Sequence, residues 1–151
     1  KNDLNIIAAL SASNNTQKVY EFHAKSPLNT LENKVANYQK AKVKNIYEIK
    51  TQTLNQIIEK NKLSKKINFL TIDVEGHELQ VLKGFDINVH QPDVIVVEYL
   101  DLDLNKLEIQ NLNINNVLQS EIYEYLINRN YSLINWLHSD LIFVNNKFKV
   151  K

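Results

Sequence analysis

The chain has 151 residues, the size of one ordinary domain. Its 18 basic and 17 acidic side chains leave a net charge of +1, which gives no electrostatic case for nucleic acid or an anionic membrane surface. Apolar residues make up 44% of it, enough for a core, yet no apolar run approaches the roughly 20 residues that span a bilayer.

Residues 4–10 form a short apolar run and predict a buried strand. Residues 11–17 are polar and turn-like. Residues 19–23 alternate, which predicts a strand with one wet face. Ser26-Pro27 interrupts, and residues 30–39 carry a weak helical pattern. Residues 46–49 predict another short strand. Thr53 followed by Leu54, Ile57 and Ile58 predicts a capped helix running to about Lys62. Residues 68–73 predict a strong strand. Leu79, Val81 and Leu82 predict a short helix, with Gly84 as a left-handed residue after its end. Residues 93–98 follow Pro92 and are almost wholly apolar, as expected of a central parallel strand buried on both faces. Residues 120–130 predict a helix with Ile122, Tyr125 and Leu126 on one face. Residues 131–136 and 140–144 predict an antiparallel hairpin around a three-residue loop. The alternating periods define an α/β domain: a mixed sheet with a parallel centre, covering helices and an antiparallel edge.

Some chemistry is excluded outright. Cysteine is absent, which removes disulfides, thiolate zinc sites, iron–sulfur clusters and cysteine nucleophiles, and fits a reducing, cytoplasmic compartment. Gly76 and Gly84 are the only glycines and are not spaced as Gly-x-Gly, so neither the dinucleotide fingerprint nor the P-loop occurs in this chain. There is no Gly-x-Ser-x-Gly elbow and no His-Glu-x-x-His zinc helix. No secretory or transit pattern opens the chain. Methionine is missing even at position 1, so the chain is expected to begin downstream of its translation start.

Ligands of such sheets bind beyond the carboxyl ends of the parallel strands, here at residues 73–77 and 98–101. The densest cluster is Asp73-Val74-Glu75-Gly76-His77-Glu78. Asp73 and Glu75 share one face if the strand persists through Glu75. Crowded acids raise each other's pKa unless a cation or donor intervenes. The cluster suits a general base, a metal ligand or a partner for a cationic cofactor. The same residues also admit a purely structural role, with Asp73 capping a strand end, Glu75 and Glu78 at a helix N-terminus and His77 on the surface. Glu98 ends the second strand and could face Asp73 across neighbouring tips, or simply cap that strand. His23, His90 and His138 are isolated and read as structural or exposed. Trp136 reads as core, and Lys65-Lys66 as a solvated turn.

Residues 67–78, then Val81-Leu82-Lys83-Gly84, then residues 92–98, together resemble the signature block of the FkbM family of S-adenosylmethionine-dependent methyltransferases. Thr51-x-Thr53-Leu54-Asn55-x-Ile57-Ile58 resembles the family's helix entry. Ala8-Ala9-Leu10-Ser11 followed by Val19-Tyr20-Glu21-Phe22 is similar to its third strand and the hairpin after it. The chain departs from the family in having Thr71 where lysine is usual and Asn55 where aspartate is common. The resemblance implies a Rossmann-like class I methyltransferase sheet of seven strands with an antiparallel last hairpin. It also implies that the glycine-rich cofactor loop and first strands precede Lys1, so that residues 1–151 form a single partial domain. The function it implies is O-methylation of a sugar, glycan or natural-product hydroxyl. The partners are then a small-molecule or glycan acceptor, without nucleic acid or a membrane span.

On that reading Leu10, Ser11 and Asp73 meet the cofactor, and Asp73, Glu75 and His77 carry the chemistry. Asp73 lies beside the methyl donor and His77 or Glu75 takes the acceptor proton. Alternatively Asp73 and Glu98 hold Mg²⁺, which lowers the hydroxyl pKa. Two other classes use the same residues. One is a metal-dependent phosphoesterase with Asp73, Glu75 and Glu98. The other is a non-catalytic, degenerate methyltransferase module serving as a scaffold.

Overall fold

A computed structural model describes residues 3–24, 26–38, 42–63, 66–100 and 113–149. The elements in chain order are β1 (Ala9–Leu10), β2 (Thr16–Glu21), α1 (Asn33–Tyr38), β3 (Asn45–Gln52) and α2 (Leu54–Lys60). Then come β4 (Phe69–Ile72), α3 (Glu78–Lys83), α4 (Ile87–His90), β5 (Val94–Glu98) and α5 (Ile114–Leu118). The chain continues with α6 (Glu121–Ile127), β6 (Tyr131–Leu137) and β7 (Asp140–Asn145), and a 3₁₀ turn at Asn146–Phe148 follows.

The seven strands form two mixed sheets among the described residues, not the one sheet the sequence predicts. The smaller has the order β1-β3-β2, with β1 parallel and β2 antiparallel to β3. The larger has the order β4-β5-β7-β6. Its parallel pair puts Ile72 opposite Val97, and β7 runs antiparallel to β5 with Glu98 opposite Asp140. The β6–β7 hairpin turns through His138-Ser139, with His138 left-handed at φ 55°, and shifts register between Leu133 and Asn135. A parallel pair joined to a terminal antiparallel hairpin fits a methyltransferase-like α/β fold.

The core lies between the larger sheet and its helices. Ile95, Val97, Leu141 and Phe143 from the sheet meet Leu82 and Leu126 from α3 and α6, all fully buried. Tyr131 is anchored there by its hydroxyl, which donates to the Pro92 carbonyl at 2.7 Å. Local signals set the helix starts. The Thr53 hydroxyl accepts from the Gln56 N–H while the Gln56 side chain accepts from the Thr53 N–H, a complete capping box. The Ser120 hydroxyl accepts from the Tyr123 N–H in the same way at α6. No helix among the described residues is long and apolar enough to cross a membrane.

Four expectations need correction. The apolar run at residues 4–10 is strand only at Ala9–Leu10. Leu4, Ile6 and Ile7 stand exposed, because β1 pairs on one side only and nothing among the described residues covers them. Strand β5 is buried on one face; Ile95 and Val97 point into the core while Val94, Val96 and Glu98 are half-buried. Helix α2 stops at Lys60, short of Lys62, which turns left-handed at φ 52°. Gly84 is not left-handed, having φ −84°. Its glycine is required because a Cβ there would fall on the backbone carbonyl of Ser11.

The predicted helix at residues 30–39 is α1, starting at Asn33; Gln39, Lys65 and Asp101 lie outside the described residues. His23 and His138 are exposed. His90 is buried and stacks on Phe85 at 5.0 Å, the structural role expected of it. Trp136 is half-buried, edge-on to Tyr99, rather than deep in the core.

Candidate functional site

Strand β4 delivers Asp73 just past its last paired residue, and β5 ends on Glu98 beside it. The strand does not persist to Glu75, as a shared face would require. Glu75 is left-handed at φ 55°, and Gly76 follows at φ 94°. This double turn, not strand alternation, swings Glu75 back toward Asp73. One carboxylate oxygen from each of Asp73, Glu75 and Glu98 lies within 4.8 Å of the other two.

Three acids this close cannot all be charged without help. Burial pushes the Glu98 carboxyl up from 4.5 to about 8, and the charges of Asp73, Glu78, Glu75 and Asp140 add to it. Its Oε2 is buried and has no hydrogen-bond partner among the described residues. The Glu75 pKa is also raised, by burial first and then by Asp73 and Glu78. The cluster therefore holds either a proton on Glu98 at neutral pH or a cation. Oxygen ligands at this spacing suit a hard divalent cation, and the net negative charge equally suits an organic cation.

Glu78 supports the turn from beneath. It is 2% exposed, and its Oε1 accepts from the backbone N–H of Val74 at 3.0 Å and of Gly76 at 2.9 Å. Burial raises its pKa, while the hydrogen bonds from the Glu78, Gly76 and Val74 backbone pull the other way.

His77 does not join the acids. It is 4% exposed, with Nδ1 2.5 Å from Glu32 Oε1 and Nε2 3.0 Å from Ser11 Oγ. A carboxylate only accepts, so Nδ1 carries the hydrogen and Nε2 faces the serine hydroxyl. Ser11 Oγ also accepts from Gln17 Nε2 at 2.9 Å. Ser11 itself is 1% exposed, its N–H donating to the Gln52 carbonyl. Leu10 is half-buried at the edge of the core. The structure thus brings Asp73, Glu75 and Glu98 together, joins Ser11 to His77, and keeps the two groups distinct.

Sequence reasoning missed Glu32 and Thr30, which reach the acidic loop from the segment before α1. Nothing local marks either residue, because each is separated from its partner by 45 positions. Of the departures from the family pattern, Thr71 is exposed on β4, and Asn55 Oδ1 accepts from the Asp86 N–H at 2.8 Å. Beside the loop a cleft of about 280 Å³ opens between Gly76, Leu79, Tyr99, Leu100 and Ile122, with Lys34 at its edge.

The arrangement of strands and helices fits a methyltransferase-like α/β domain. The methyltransferase FkbM domain matches residues 2–133, and the chain belongs to that family. No curated protein and no solved structure matches it.

Proposed function

We propose that the protein is an S-adenosylmethionine-dependent O-methyltransferase acting on a hydroxyl of a sugar, glycan or natural product. The observation that carries the reading is the convergence of Asp73, Glu75 and Glu98 at the carboxyl ends of the parallel pair, with one buried oxygen unpartnered among the described residues. Such a cluster favours a ligand bearing positive charge. When bound, S-adenosylmethionine supplies a sulfonium-activated methyl group.

The chain's own residues then orient the donor and move a proton. Asp73, the exposed member, lies on the donor side. Glu75 is the choice for the acceptor proton, because its raised pKa brings it nearer to neutral working conditions. His77 has both ring nitrogens engaged and acts by holding the turn. The cleft walled by Leu79, Tyr99 and Ile122 offers an acceptor ring an apolar surface beside that turn.

Titration of the full-length protein with S-adenosylmethionine in a calorimeter tests the cofactor. Transfer of labelled methyl to a panel of glycosides and polyols tests the acceptor class. No binding of the cofactor overturns the reading. Methyl transfer abolished by a chelator and restored by a divalent cation would assign the acids to a metal that assists the transfer, whereas metal-dependent hydrolysis of a phosphoester with no methyl transfer would favour the phosphoesterase alternative.

A further inference from the structure

The turn that carries Glu75 is strained, and besides the nearby Glu78 it is held by residues remote in sequence. Glu75 and Gly76 are consecutive left-handed residues, and a non-glycine residue adopts that conformation at a cost. Three contacts from residues 30–35 close on them. The buried Thr30 hydroxyl donates to the Glu75 carbonyl at 2.7 Å and accepts from the Glu32 N–H at 2.9 Å. The Glu32 carboxylate holds His77 Nδ1, and Val35 packs where a Cβ of Gly76 would stand. Ser11 holds the other side of the His77 ring at the end of β1.

We propose that Thr30 and Glu32 are positioning residues for the site: they clamp residues 75–77 in the turn that sets the Glu75 carboxylate beside Asp73 and Glu98. Thr30 fixes the Glu75 peptide directly. Glu32 acts through His77, whose ring bridges the segment before α1 and the end of β1. The clamp stands on geometry alone; its effect on function rests on the methyltransferase reading above. None of the three contacts supplies a hydrogen bond of β4, which pairs with β5, or of α3, whose first turn closes on the His77 carbonyl.

The test uses the full-length protein, S-adenosylmethionine as probe, and the variants Thr30→Val, Thr30→Ser and Glu32→Leu. Thr30→Val removes the donor at nearly constant volume, and affinity for the probe should fall about tenfold. Thr30→Ser keeps the hydroxyl and should stay within about twofold of wild type. A loss of fold would not be rescued by so small a change. Glu32→Leu should convert His77 from the Nδ1–H to the Nε2–H tautomer, read from its ring ¹⁵N shifts, and should speed amide exchange at Gly76 and His77. Unchanged probe affinity, tautomer and exchange in Thr30→Val and Glu32→Leu overturn the clamp. If the wild-type protein does not bind the probe, the methyltransferase reading fails, and the tautomer and exchange measurements still decide the clamp.

Discussion

Gly84 lies flat against the backbone carbonyl of Ser11, so close that no side chain fits between them. The contact ties the end of α3 to the end of β1, and so ties the larger sheet's helices to the smaller sheet. Gly84→Ala should cost about 2–3 kcal/mol, because backbone rather than a flexible side chain must give way. Chemical denaturation of the two proteins measures it. A loss below about 0.5 kcal/mol would mean that Ser11 moves aside freely.

Glu78 is buried for its oxygen, not for its charge. Glu78→Gln keeps an acceptor for the Val74 and Gly76 amides and should leave the thermal midpoint close to wild type. Glu78→Ala leaves two buried donors unpaired and should cost about 2–4 kcal/mol. Equal losses in the two variants would show that the carboxylate charge itself holds the turn.

Glu98 gives stability a pH dependence of definite sign. The folded chain keeps its proton to about pH 8, whereas an ordinary glutamate releases it near 4.5. Between those values the native state binds more protons than the unfolded state, so stability falls as pH rises through that window. The raised Glu75 and Glu78 carboxyls act in the same direction. With screening at a half-exposed site, the Glu98 part is on the order of 1–2 kcal/mol. Glu98→Gln should flatten the profile, as denaturation midpoints across that window would reveal.

Asp73 is the group that the proposed chemistry needs and the fold does not. It is exposed and lies beyond the paired part of β4. Asp73→Asn should leave stability within about 0.5 kcal/mol of wild type. Methyl transfer by the full-length protein should fall on the order of 10²-fold, since a misplaced or uncharged group at the donor forfeits orientation. Unchanged turnover would remove Asp73 from the mechanism.

Much of the fold was legible because its signals are local. The β-branched run at residues 94–97, the Thr53 cap and the terminal hairpin each carry their own pattern and appear near where expected, although the hairpin's loop has two residues rather than three. Burial is not local. Residues 4–8 have the composition of a strand, but composition cannot supply a neighbour, and Ile7 stands fully exposed. The two sheets were not legible for the same reason. At the site, the position of the acids at strand ends could be read, and so could the meeting of Glu98 with Asp73. The route by which Glu75 joins them could not, because it depends on a left-handed residue that no propensity favours. Nor could the partners of His77, which come from Glu32 and from Ser11, 66 positions away.

Those long separations bear on how the molecule is made. Helices α2 and α6 are closed by hydrogen bonds between residues a few positions apart, whereas joining Thr30 to Glu75 or Ser11 to His77 means closing loops of 45 and 66 residues. A nascent or truncated polypeptide would already contain Asp73, Glu75 and Glu98 without their mutual arrangement. Competence would arrive abruptly, with the last cooperative step of folding, and slow folders would be inert rather than partly active.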